Sequence, residues 1–265
     1  MRYLPQLTCL LVLFGTVTTF AQTFELGLMA GGAGYMGDLN QDKPLKISGL
    51  SAGAYAKLNL DPYWAVGLHY TYGKIRGNDA FSENTDFKNR NINFKTPLNE
   101  VSVQVDFNFL NYFAGGGTKK FTPYIFTGIG GVFYSPKGTY NDTEYNLRYY
   151  QTEGQAGAYR NYALAIPYGV GLKVQLKENW GLFSQIGYRT AHTDYLDDVS
   201  GVYPDAAVWP DDGSRALRQH LSNPSVIPNY GAPGTQRGDF RKRDTYMFVG
   251  IGISYTFVSQ KCYTF

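Results

Sequence analysis

Charge is scarce in this chain. Lys, Arg, Asp and Glu make up 17% of its 265 residues, against about a quarter in ordinary soluble domains. Long apolar runs are missing too. One region near the N-terminus comes close, but it falls short of the ~20 apolar residues that a spanning helix needs, and mean hydropathy is −0.29. A helical membrane protein is therefore excluded. Cysteine is limited to Cys9 and Cys262, so no disulfide framework holds the fold. The three histidines, His69, His192 and His220, have no metal-ligand spacing. Basic residues are scattered and the net charge is only +3, which makes no case for nucleic acid. What abounds is glycine (31), tyrosine (23) and phenylalanine (17), and aromatics at 16% exclude a disordered chain. This is the composition of a transmembrane β-barrel.

Residues 1–21 read as a secretory signal peptide. Arg2 supplies the basic start, residues 10–14 the apolar stretch, and Thr19-Phe20-Ala21 the small residues of a cleavage site. Cys9 would leave with it, so the mature chain from Gln22 keeps one cysteine.

Alternation then sets the architecture. The clearest case is Val101, Val103, Val105, Phe107 and Phe109 against Glu100, Ser102, Gln104, Asp106 and Asn108. Seven more segments of similar length lie near residues 24–30, 50–60, 64–72, 124–134, 166–176, 182–189 and 247–257. Each has about the 9–11 residues of a tilted membrane strand. Eight is an even number, as single-chain bacterial barrels require, and closure removes the open edge that hydrocarbon cannot solvate. The expectation is an all-β, eight-stranded antiparallel transmembrane β-barrel over residues 22–257. Short turns at 61–63, 112–120 and 177–179 would be periplasmic, and longer loops at 37–49, 75–97, 135–164 and 190–244 extracellular.

The two faces differ in chemistry. One carries aliphatics, with Trp64, Tyr70, Tyr72, Tyr188, Tyr255 and Phe257 where interfacial girdles belong. The other carries glycine together with Glu25, Lys57, Glu100, Asp106, Lys173 and Arg189. An eight-stranded barrel is just wide enough to be filled by its own side chains. Three acids and three bases therefore read as a lumen ion-pair network, with no enzyme site or ion path.

Two motifs fail on context. Gly32-Ala33-Gly34-Tyr35-Met36-Gly37 has dinucleotide-loop spacing, yet a loop follows where a helix is required. Gly49-Leu50-Ser51-Ala52-Gly53 has nucleophile-elbow spacing but runs into an alternating strand. Asp194, Asp197 and Asp198, with Asp211 and Asp212, offer oxygen ligands without the spacing of a calcium loop. They are expected to form an acidic surface loop with internal capping. No cofactor or metal is expected, and no catalytic set is apparent.

Gly252-Ile253-Ser254-Tyr255-Thr256-Phe257 is similar to a C-terminal barrel-assembly signal, but residues 258–265 continue past it as a periplasmic tail. There Cys262, flanked by Lys261 and Tyr263, is a candidate partner contact. In an oxidising compartment it can form an intermolecular disulfide.

Several segments together carry a resemblance. These are Gly34-Tyr35-Met36-Gly37-Asp38-Leu39, Arg90-Asn91-Ile92-Asn93-Phe94, Thr122-Pro123-Tyr124 and Thr152-Glu153-Gly154-Gln155. Beyond them come Ile166-Pro167-Tyr168, the stretch from Thr193 through Asp194-Tyr195-Leu196-Asp197-Asp198 to Tyr203, Arg237-Gly238, and Asp244-Thr245-Tyr246. The chain resembles the PorG-like outer-membrane barrels of the type IX secretion system of Bacteroidota. The Asp-rich stretch is the most specific piece, and it is expected in an outer loop. The resemblance implies a non-catalytic outer-membrane component that ties the periplasmic ring, including its lipoprotein subunit, to the membrane. A structural or adhesive barrel working through its outer loops is the second reading.

Overall fold

A computed structural model describes residues 23–258. The signal peptide expected at 1–21 and the tail contacts Lys261, Cys262 and Tyr263 lie outside the described residues.

Eight strands close the barrel: β1 (Thr23–Met36), β2 (Ile47–Asn59), β3 (Trp64–Asn78), β4 (Asn93–Asn108), β5 (Phe121–Tyr134), β8 (Tyr162–Lys177), β9 (Trp180–Ala191) and β10 (Thr245–Phe257). Between β5 and β8, the strands β6 (Lys137–Tyr140) and β7 (Thr143–Asn146) form a small hairpin in the outer loops. Every barrel strand is antiparallel to its sequence neighbours, and β1 pairs with β10 from Phe24↔Phe257 to Met36↔Thr245, so no edge is left open. Two short helices, α1 (Thr85–Arg90) and α2 (Arg215–Ser222), lie in the outer loops.

The inner ends are tight. Asp61 accepts hydrogen bonds from the backbone N–H groups of Tyr63 and Trp64, both at 2.7 Å. That is an Asx turn, which an Asp-Pro pair favours. The β4–β5 turn does more than connect. Tyr112, Phe113 and Ala114 are buried, so this turn closes the inner end of the barrel.

Outward positions form an apolar belt. Leu28, Leu68, Val103, Ile129, Val170 and Ile251 are 47–66% exposed, while the charged residues are inside. Water would be the wrong solvent for that surface and hydrocarbon the right one, so the barrel spans a membrane. On β3 the belt runs from Trp64 to Tyr72, about 27 Å along the strand and about 20 Å across the bilayer after tilt. An aromatic girdle edges it at the turn end. Trp64 packs on Phe107 (4.8 Å between centroids), Trp180 on Tyr255 (5.0 Å) and Phe24 on Phe257 (5.7 Å).

All eight strands are present, several longer than alternation indicated: β3 ends at Asn78 and β4 begins at Asn93. Above the belt the two faces exchange chemistry. Ile75, Phe94 and Leu98 point inward and are buried, whereas Lys74, Arg76 and Lys95 point outward. There the strands stand in water, and an apolar outward face is no longer the one to look for.

Candidate functional site: a filled lumen under a buried polar cap

The lumen is packed in layers. Near its inner end Lys57 and Lys173 flank Asp106, at 2.5 and 2.8 Å. Higher up Arg189 pairs with Glu100 at 3.1 Å, and the Tyr246 hydroxyl donates to the same carboxylate at 2.7 Å. Glu25 departs from the expected network. Among the described residues it has no base; it accepts from the Tyr55 hydroxyl (2.6 Å) and the Asn59 amide (3.1 Å). Lys57 lies 4.2 Å from the Tyr55 ring centroid, so Glu25 meets the cation through Tyr55 and not directly. The six expected charges thus fall into three groups that are all buried and sum to zero. Aromatic rings fill the space between them. Tyr55 lies against Gly27, and Phe126 against Gly187, where any Cβ would collide with the ring. His69, an inward residue, stacks on Tyr55 at 5.1 Å. Ser51 is bound to the Gly32 carbonyl, and no acid–histidine–serine set forms around it among the described residues.

The outer end is closed by the chain itself. Leu196 and Val199 are fully buried in a cluster with Tyr35, Ile75, Phe94, Leu98 and Phe248. They descend from the loop between β9 and β10, so the Asp-rich stretch is a plug in the barrel mouth. This corrects the expectation of an acidic surface loop: Asp197 and Asp198 are 0% exposed. The sequence showed the acids but not that the strands rise past the membrane to surround them.

Each buried acid is occupied. Asp197 accepts from the Tyr35 hydroxyl and from the Val199 backbone at 2.9 Å. Asp198 accepts from Thr152 and from Tyr159, both at 2.6 Å. Glu153 receives the backbone N–H groups of Ser200 (2.8 Å) and Gly201 (3.1 Å). Arg237 binds these parts together. It donates to Glu153 at 2.9 Å, to the Asp198 carbonyl at 2.5 Å and to the Ser222 carbonyl at 3.0 Å. Arg90 forms a two-point pair with Asp79 (2.7 and 3.0 Å) and donates to the carbonyls of Asp38 and Arg237. Segments far apart in the chain, around residues 35, 90, 153, 198, 237 and 244, meet in this cap. Arg90, Glu153 and Arg237 were legible as motif members only. Asp38 too was legible as a motif member, whereas Asp79 had no stronger signal than being an acid in a charge-poor chain.

Of the acids considered as oxygen ligands, Asp211 and Asp212 are exposed and capped locally by Arg215 and Ser214. Asp194 instead meets Asp38 and Asp244, their carboxylate oxygens within 4.8 Å of one another. That spacing could admit an oxygen-ligated cation. Without one, protons relieve the crowding. Burial, with the Asp239 charge, pushes Asp38 up to about 7. Burial raises Asp194 to about 6. Asp197 and Asp244 are held well above the usual carboxylate range by burial and by neighbouring acids.

A domain family of unknown function, DUF6089, matches residues 5–209. The chain belongs to this family. The matched part of the DUF6089 chain holds β1 to β9 and the plug, while Arg237 and β10 lie beyond it. No curated protein matches its sequence. Among solved structures it is similar to neisserial surface protein A (8% identity, TM-score 0.42, covering 88% of this chain and 97% of that one). A major outer membrane protein from Thermus thermophilus is also similar (14%, TM-score 0.44, 89% and 100%). So is the outer membrane protein OprG from Pseudomonas aeruginosa (9%, TM-score 0.38, 90% and 98%). Likeness of this degree says nothing about function.

Proposed function

We propose that this DUF6089 barrel is a non-catalytic outer-membrane component of a type IX secretion machine that fastens the periplasmic ring and its lipoprotein to the membrane. The observation that carries the reading is the closed lumen. Ion pairs fill the middle, Tyr112 and Phe113 cover the inner end, and Leu196 and Val199 plug the outer end. No folded cargo fits through such a barrel. A barrel that conducts nothing is suited to anchoring, and the resemblance supplies what it would anchor. The inner turns and the tail beyond β10 supply the surface for it, with Cys262 offering a disulfide to the lipoprotein or ring.

The test is affinity purification of the tagged full chain from native outer membranes after mild cross-linking. Co-purification of a periplasmic ring is expected. A clean barrel without ring proteins overturns the reading. Non-reducing electrophoresis of native membranes tests the cysteine: a mass shift lost in Cys262→Ser is expected.

The adhesive reading has its own observation. Phe81 and Val226, on outer loops, are 80% and 86% exposed. Deletion within 192–244 that abolished adhesion and left secretion intact would favour it.

A further inference from the structure

Basic residues scattered along the sequence are gathered by strand register just above the apolar belt. Tyr72 is the last outward aromatic of β3, and the next outward positions are Lys74 and Arg76. Register sets Arg76 opposite Lys95 on β4, and Lys95 opposite Lys137 on β6. Three cations therefore stand abreast on one outward surface, on strands about 4.8 Å apart, with Lys74 one step nearer the bilayer. Like charges in direct cross-strand register are destabilising unless something neutralises them. One acid sits among them: Glu144 lies 2.8 Å from Lys95 and 3.3 Å from Lys137. Lys74 and Arg76 form no ion pair among the described residues, and Arg76 is exposed.

Beside and below the shelf the surface is largely apolar, with Asn99, which accepts from the Tyr70 hydroxyl at 2.9 Å, as a polar residue within it. Leu50 is 80% exposed, Tyr70 47% and Val101 43%. A basic shelf over an apolar wall matches an amphiphile whose anionic group sits at the shelf and whose chains lie along the wall. Anionic headgroups attract Lys and Arg at this depth, and a guanidinium matches a phosphate in two-point geometry.

We infer that this face of the outer rim binds the phosphate-bearing headgroup of an outer-leaflet lipid, with Lys74 and Arg76 as the uncommitted donors and Lys95 and Lys137 beside them. The inference rests on the outer-membrane placement above and is independent of the secretion role.

Native mass spectrometry of the full chain in detergent tests it, with bis-phosphorylated lipid A as probe and its dephosphorylated form as comparison. Wild type is expected to hold the phosphorylated lipid and release the other. Lys74→Gln with Arg76→Gln should weaken phosphorylated-lipid binding about 30-fold, each charge contributing about fivefold. Lys119→Gln with Lys120→Gln, at the opposite end, should leave it unchanged. Equal binding by wild type and the Lys74/Arg76 variant overturns the inference. So does full displacement of the lipid by millimolar inorganic phosphate, which would make this a site for the free ion. Flotation of both proteins with phosphatidylcholine vesicles reads membrane insertion separately, so a failed headgroup site is distinguishable from a failed membrane placement. Both substituted side chains point outward, and heat-dependent electrophoretic mobility verifies that the variant barrel is folded.

Discussion

Replacing Arg237 with Gln should open the outer cap and leave the barrel standing. Its side chain is 1% exposed, and those of its partners Asp198 and Glu153 are 0% and 6%. Removing one partner of such a buried pair costs about 3–5 kcal/mol, because the other charges stay behind uncompensated. Asp198, which burial raises to about 6 against the pull of Arg237, can take up a proton and soften the loss. The lower part of the range then applies at pH 7, which is about a 10²–10³-fold rise in cap opening. Hydrogen exchange of the protein in nanodiscs reads this directly. The amides of Leu196, Ser200 and Gly201, bound to Asp244 and Glu153, should lose protection by that factor. Amides of the β1–β10 ladder should keep theirs. Arg241→Gln is the comparison: Arg241 pairs with Asp239 but is 54% exposed, so it should change protection by less than about fivefold. Unchanged exchange at Leu196, Ser200 and Gly201 would refute the claim that Arg237 holds the cap. Parallel loss in cap and ladder would refute the claim that the two open separately.

Other outcomes follow from the same geometry. Asp38 and Asp194 have folded pKa values of about 7 and about 6, above the unfolded value of about 3.9. Their contribution to cap stability is therefore full below about pH 4 and lost as pH rises toward 7. Proteolysis of the loop 192–244 should be slower at pH 5.5 than at pH 8, and equal rates would contradict this. Ile253, outward in β10 and 47% exposed, should cost about 2–4 kcal/mol as Ile253→Arg. Urea titration of folding into vesicles measures that cost, and a neutral result would deny that β10 faces lipid. In planar bilayers the wild-type protein should show no stable ion conductance, because the lumen is filled and closed at both ends. A steady open channel would remove the basis of the fastener reading.

The barrel was legible because lipid imposes a strict rule on every outward position from Trp64 to Tyr72 and from Val101 to Phe109. That rule lapses where water begins. Between Lys74 and Asn78 the outward residues are polar and the inward Ile75 is apolar, so alternation persists with its meaning inverted and the strand seems to stop. The six lumen charges were legible as inward residues, but not their pairing. Whether Glu25 reaches a lysine or a tyrosine depends on cross-barrel distances that no single strand encodes. The Asp194–Asp198 stretch stood out as a motif, yet its burial depends on Thr96, Tyr35 and Arg237, which approach from three other parts of the chain.

The seam between β1 and β10 has a consequence for how the molecule comes into being. Its first strand must wait, unpaired on one side, until the last has been made, and Arg237 arrives just before that strand. A chain cut short anywhere before residue 245 would carry both an open edge and an unlatched cap. Closing the seam and latching the cap thus both depend on the last part of the chain, and a truncated copy would leave an unpaired strand edge.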